Sequence, residues 1–363
     1  MSLIVISFDG VSDTEFKKMA ALPEKYPNIA SFKTDAIYHS SVSTTFVSNT
    51  YPIHTSIITG NFPSEHGIIS NTVSIKNNAD IWAQEAERIK SKTIFQAAYE
   101  KGLKVGAISW PVTCGAKIKW NMPEVHIRPG QNRIIQHMRH GSIFFQLNMM
   151  RKFGHKLDGL AVPQLDDFLS AAASDLLRSK KPDLLLVHLL SYDTMRHKTG
   201  LAPQLDIARA SLDESLGRLL EAAPKDAGII IFSDHAHLDV IHNVNLAEIY
   251  GKKLYEQCGG CAFFTQPIDG IEAQPWFGRF LRQDEMENSG YEKLASYGVA
   301  AKMGYSLGRG EYAANHGYPT DYPNYQVFFA HKNMQCNVDD LPHRDIRDVH
   351  TLIVRELNLN IRT

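Results

Sequence analysis

Apolar runs of strand length recur along the chain at Ile4–Phe8, Val105–Trp110, Leu184–Leu190, Ile229–Phe232 and Val327–Ala330, with stretches of helical period between several of them. This alternation predicts an α/β fold, a central mostly parallel sheet with helices on both faces. The clearest helix runs from Gln204 to about Ala223, where Ile207, Ala210, Leu212, Leu216, Leu219 and Leu220 approximate a 3.6-residue period and Pro224 ends it. A second helix is expected from about Tyr51-Pro52, where an early proline loses nothing by lacking an N–H, to a stop near Gly60. Two regions break the rhythm. Residues 118–165 mix Pro, Gly, His and paired aromatics, and residues 250–315 are rich in Gly and aromatics. Both are expected to be a small cap or insertions over the carboxyl edge of the sheet, within one domain spanning 1–363.

Composition narrows the classes of function. A chain of 363 residues, 44% hydrophobic, can bury a large core. Its 38 basic and 39 acidic residues nearly cancel, so it carries no basic footprint for a nucleic-acid polymer, and a small charged molecule is the expected partner. No run reaches the ~18 apolar residues of a membrane span, and Leu3–Phe8 is too short for the apolar centre of a signal peptide. The default expectation is a cytoplasmic location; a secreted or periplasmic one follows if a signal peptide has been removed. Oligomeric state leaves no mark in the sequence. Four cysteines do not make a disulfide framework. Cys258 and Cys261 flank Gly259-Gly260 and read as two thiols in a tight turn, with a disulfide between them left open.

In an open α/β sheet, ligands bind beyond the carboxyl ends of the strands, so polar residues just after the apolar runs are the candidates for chemistry. Asp9 follows the first run. Asp193 follows the third, with His197 one helical turn further on, where both side chains can reach one ion. Asp234 and His235 follow the fourth run, and His316 lies in N-H-G-Y ahead of the last strand. Singly, each reads as a helix cap, a turn former or a solvated histidine. Jointly, three Asp and three His at successive sheet edges supply two three-ligand sites with open positions, and two ions so placed can clamp the attacking and leaving oxygens of an in-line displacement at phosphorus. His54 and His237 have no expected role.

Thr50 stands at or beside the start of the helix, where the free N–H groups and the helix dipole receive an anion, although most such threonines only cap. The string T50-Y-P-x-H-x-x-x-x-T-G-x-x-P-x-x-H-G-I-x-x-N71 resembles the nucleotide pyrophosphatase/phosphodiesterase family, the type I phosphodiesterases of the alkaline phosphatase superfamily. Asp193 and His197 in D-x-x-x-H, Asp234 and His235 in S-D-H, and His316 in H-G-Y extend the match in the same order. The resemblance implies an alkaline phosphatase-like sandwich that hydrolyses phosphodiester or pyrophosphate bonds with two Zn2+, for which Mn2+ or other divalent metals could substitute. It places Asp193, His197 and His316 on one zinc and Asp9, Asp234, His235 and Thr50 on the other. Thr50 becomes the nucleophile of a phosphothreonine intermediate and Asn71 a donor to a phosphoryl oxygen.

Tyr51 matches one face of the family's clamp for a nucleotide base. At the usual position of the other face, five residues ahead of Asp193, stands His188 rather than tyrosine, so nucleotide preference is not expected; His188 is kept as a candidate substrate contact, with a core histidine satisfied by hydrogen bonds as the equal alternative. The string C/S-x-P-x-R of sulfatases does not occur around the cysteines, and no arginine lies between Thr50 and Arg88 to serve a phosphomonoesterase. A phosphonoacetate-type hydrolase shares the ligands and the threonine and is the leading alternative, followed by a phosphomonoesterase. A non-catalytic metal-binding protein on the same scaffold would be expected to have lost a ligand or Thr50.

Overall fold

A computed structural model describes residues 2–75 and 79–361. Its centre is a seven-stranded sheet built from β1 (Leu3–Phe8), β2 (Ile37–Val42), β3 (Val105–Ile108), β4 (Trp120–Met122), β5 (Leu184–Leu189), β6 (Gly228–Phe232) and β7 (Val327–Lys332), in the order β2-β7-β6-β1-β5-β3-β4. From β6 through β4 the neighbours run parallel, and β7 pairs antiparallel with both β6 and β2.

Side-chain alternation on β1 divides the core. Ile4, Ile6 and Phe8 join a cluster covered by α2 (Gln164–Lys180) and α4 (Leu205–Ala222). Leu3 and Val5 face the opposite cluster, under α1 (Thr50–Thr59) and α5 (Asp348–Glu356). Between α2 and α4 in sequence lies α3 (Ser191–Thr199). Each face therefore buries its own apolar set, which is what makes near-continuous runs such as LLLVHL stable as central strands.

Two strands carried no apolar run. β2 has the sequence IYHSSV and is largely solvent-facing, and β4 is three residues long at the far edge. Within 118–165, Trp120–Met122 completes the main sheet, and the helices after it lie outside the sheet. In 250–315, strands Leu254–Gln257, Cys261–Phe264, Phe277–Phe280 and Tyr297–Ala301 form a separate four-stranded sheet with its own aromatic core around Phe264, Trp276 and Tyr325. Among the described residues no helix is long and apolar enough to cross a membrane.

Candidate metal centre and nucleophile

The carboxyl ends of β1, β5 and β6 lie side by side, with Ser7 in register with both His188 and Phe232. The segments leaving these three strands therefore converge. The Asp9 N–H donates to the Leu189 carbonyl at 3.0 Å, and the Gly10 N–H donates to Asp234 Oδ1 at 3.1 Å, which ties the first and third loops together. His235 Nε2 lies 3.3 Å from Asp9 Oδ1, 3.4 Å from Asp234 Oδ2 and 3.3 Å from Thr50 Oγ1. Thr50 is the first residue of α1, after an extended Asn49, and the helix stops at Gly60 in the left-handed conformation. Its hydroxyl thus stands at a helix N-terminus among three ligand-type side chains.

On α3, Asp193 and His197 are one turn apart, with His197 Nε2 3.3 Å from Asp193 Oδ1. His316 stacks on His235 with ring centroids 4.0 Å apart. Three groups of three have all their ligand atoms within 4.8 Å of one another: Asp9, Asp234 and His235; Asp193, His235 and His316; and Asp193, His197 and His237. The structure thus gathers all six sequence candidates and Thr50 at one edge, and adds His237. The signal for His237 is its place two residues after His235 in D-H-x-H, beyond the carboxyl end of β6.

Electrostatics decide what the cluster can hold. Burial, then the negative charges of Asp234 and Asp193, push the Asp9 carboxyl well above the usual carboxylate range. Burial also opposes ionisation of Asp193, but His197 and then His237 outweigh it and hold that carboxyl well below its usual range. His235 and His316 are pushed well below the ordinary imidazole value by burial foremost, so both present neutral nitrogen lone pairs. Asp9 Oδ1, Asp193 Oδ1 and Asp234 Oδ2 are buried without hydrogen-bond partners, and among the described residues the ion-pair partners of these carboxylates are histidines alone. Buried acceptors so arranged repel one another, whereas two divalent cations would satisfy them, and the mixed N/O donor set suits zinc or a neighbouring divalent metal.

The surrounding residues hold these side chains in place. His54 reaches from α1 to Ser7 Oγ at 2.9 Å and to the Thr50 carbonyl at 2.8 Å, a satisfied core histidine. Asn71 Oδ1 accepts the Tyr51 N–H at 2.9 Å, which leaves the Asn71 amide N–H groups to donate elsewhere. Gly317 has φ +84 and a Cβ there would lie 1.8 Å from the Cys258 carbonyl oxygen; a Cβ on Gly259 would lie 2.4 Å from that of His316. The Cys258–Cys261 turn, whose thiols are both free, is therefore the support against which the His316 loop is pressed.

Two candidate substrate contacts, Tyr51 and His188, face inward. Tyr51 is 1% exposed, packed on Trp82 with centroids 5.2 Å apart and on His126, so it offers no open face to a base. His188 is likewise 1% exposed; its ring bridges Asp9 Oδ2 at 2.9 Å and the Ser109 carbonyl at 3.1 Å. Strand alternation explains this, since His188 shares the sheet face of Ser7 and turns under α1 toward His54 rather than out of the carboxyl edge.

Residues 3–322 match the sequence model of a family described as Type I phosphodiesterase / nucleotide pyrophosphatase. Ectonucleotide pyrophosphatase/phosphodiesterase family member 3 of Bos taurus is 23% identical over 245 residues, 64% of this chain and 24% of that protein. The match thus spans about a quarter of the length of that relative. An inactive form of murine ectonucleotide pyrophosphatase/phosphodiesterase 5, in complex with AMP, is similar with a TM-score of 0.69 at 17% identity, over 100% of this chain and 96% of that one. Phosphonoacetate hydrolase from Sinorhizobium meliloti 1021, in complex with phosphonoacetate, reaches 0.71 at 16% identity, over 98% and 96%. At these identities the structural likeness speaks for the fold, an alkaline phosphatase-like α/β architecture.

Proposed function

The chain belongs to the Type I phosphodiesterase / nucleotide pyrophosphatase family, and on that premise we propose that it hydrolyses phosphodiester or pyrophosphate bonds through Thr50 at a centre for two divalent metals, zinc foremost. The observation that carries the reading is the Thr50 hydroxyl at the N-terminus of α1, 3.3 Å from His235 Nε2 and beside the convergent, unpartnered oxygens of Asp9 and Asp234. Asp9, Asp234, His235 and Thr50 would hold one ion and Asp193, His197 and His316 the other. Bound there, the ions would acidify the threonine hydroxyl and offset charge on the phosphoryl oxygens and the departing group.

Thr50 Oγ, its proton released to solvent, would then form a bond to phosphorus in line as the bond to the leaving oxygen breaks, that oxygen taking a proton from solvent, to give a phosphothreonine. Water adds from the opposite side, the Thr50–phosphorus bond breaks, and the threonine proton is restored. The Thr50 N–H at the start of α1 and the Asn71 amide N–H groups, placed by the bond from the Tyr51 N–H to Asn71 Oδ1, would stabilise the negative oxygens.

With Asn71 in place of an arginine clamp, the site suits a phosphorus centre bearing a second organic substituent. Bis(p-nitrophenyl) phosphate should be hydrolysed with a kcat/KM at least tenfold above that of p-nitrophenyl phosphate, about 1.4 kcal/mol of transition-state preference. The inward turn of Tyr51 and His188 removes both faces of a base clamp and favours a second reading, a phosphonate hydrolase of the phosphonoacetate type. A panel of diaryl and monoaryl phosphates, nucleotides and phosphonates, with and without chelator, separates these. A monoester preference overturns the diester assignment, release of phosphate from phosphonoacetate favours the second reading, and full activity in chelator removes the metal-dependent mechanism.

A further inference from the structure

We infer that His237 is a protein ligand of the ion held by Asp193 and His197, an inference that rests on the two-metal reading above. His237 follows β6 and lies with its side chain 1% exposed and Nε2 3.0 Å from Asp193 Oδ1. Its Nδ1 lies 3.1 Å from the Gly10 carbonyl, which can only accept, so Nδ1 carries the proton and Nε2 keeps a lone pair. That lone pair faces a carboxylate oxygen. Both atoms are buried, and neither has a hydrogen-bond partner. Two acceptors held at this distance repel unless a cation lies between them.

His197 and His316 are set the same way. His197 gives Nδ1 to the Ala314 carbonyl at 2.9 Å, and His316 gives Nδ1 to Asn49 Oδ1 at 2.9 Å and the Ser48 carbonyl at 3.2 Å, so each keeps Nε2 free. Anchoring one ring nitrogen on a backbone or amide oxygen is how metal-binding imidazoles are oriented. Proximity points the same way, since the ligand atoms of Asp193, His197 and His237 lie within 4.8 Å of one another while His316 groups with Asp193 and His235. Gly10 makes the approach of the ring feasible: at φ +75 it stands where a Cβ would come within 2.4 Å of His237 Cε1. The ion on Asp193 and His197 would accordingly carry one more imidazole than the sequence motifs imply.

The test is a zinc-loaded crystal structure with anomalous scattering, joined to metal titration. His237 Nε2 should stand about 2.0–2.1 Å from the ion on Asp193 and His197. His237→Ala and His237→Gln should each retain one ion at wild-type affinity and bind the other at least tenfold more weakly against a competing chelator. In the cobalt-loaded protein, each variant should lose one hyperfine-shifted, solvent-exchangeable imidazole N–H resonance. An ion on Asp193 and His197 with His237 Nε2 beyond about 3 Å, unchanged resonances in the variants, or a wild-type protein that binds no metal would each overturn the inference. None of these readouts needs turnover, so an inactive protein with His237 on the metal would defeat the proposed reaction and leave this assignment standing.

Discussion

Taking the hydroxyl from Thr50 removes the proposed nucleophile and little else, because the helix start is set by Asn49, Pro52 and the Thr50 backbone. Thr50→Ala should lower kcat/KM on the best diester by at least about 10³-fold while metal stoichiometry and thermal unfolding stay near wild type, and Thr50→Ser should keep measurable turnover. Activity of Thr50→Ala close to wild type would eliminate the covalent route. His188→Phe keeps an aromatic of similar bulk but loses the bonds to Asp9 and Ser109. It should weaken metal binding by about 10–100-fold without a selective effect on nucleotide substrates, because the residue acts on a ligand; a selective change in nucleotide KM would return His188 to the substrate pocket. The Asp and His residues were legible because each follows an apolar run, and position after a strand is written in one dimension. The directions of Tyr51 and His188 were not, because facing depends on strand register and on Trp82 and His126, which are distant in sequence. His237 is marked by its D-H-x-H spacing, yet a lone histidine there reads equally well as an ordinary one.

Among elements, those with a strong period and a chemical stop matched their expected bounds closely. α4 runs Leu205–Ala222 ahead of Pro224, and α1 ends at Gly60. β2 escaped notice because an exposed antiparallel neighbour needs few apolar residues, and β4 because three residues make no pattern. The small sheet in 250–315 was equally illegible, since its strands are four or five residues long and separated by irregular turns. Its chief service to the site is the glycine contact between the Cys258–Cys261 turn and the His316 loop. Gly317→Ala would set a methyl against the Cys258 carbonyl and strain a left-handed backbone. It should destabilise the protein by roughly 2–5 kcal/mol in denaturant unfolding, from backbone strain and overpacking together. Gly102→Ala, at φ +75 with nothing within 4 Å, isolates the backbone contribution and should cost only about 1–2 kcal/mol. Equal losses in the two variants would show that the turn does not support the loop.

For the molecule as a whole, the central strands β1, β3, β5, β6 and β7 were readable from apolar runs, and with them the edge on which the chemistry collects. The sheet order was not, because it is set by which faces α1, α2, α4 and α5 cover. The candidate centre joins loops from distant parts of the chain, so metal that binds only the folded state should stabilise it globally. At free zinc about 100-fold above the dissociation constant the gain is about 2.7 kcal/mol per site, enough to raise the unfolding midpoint by about 3–4 °C for each site filled. Scanning fluorimetry with chelator and then with zinc restored should show that shift and its reversal, and an unchanged midpoint would count against tight metal binding. The gathering of ligands from Asp9 to His316 also has a consequence for biosynthesis. At about 5–20 residues per second, roughly 15–60 s separate the synthesis of those two residues. A ribosome-bound chain therefore carries its first carboxylate long before its last imidazole exists, and the full candidate ligand set can assemble only after His316 has been made.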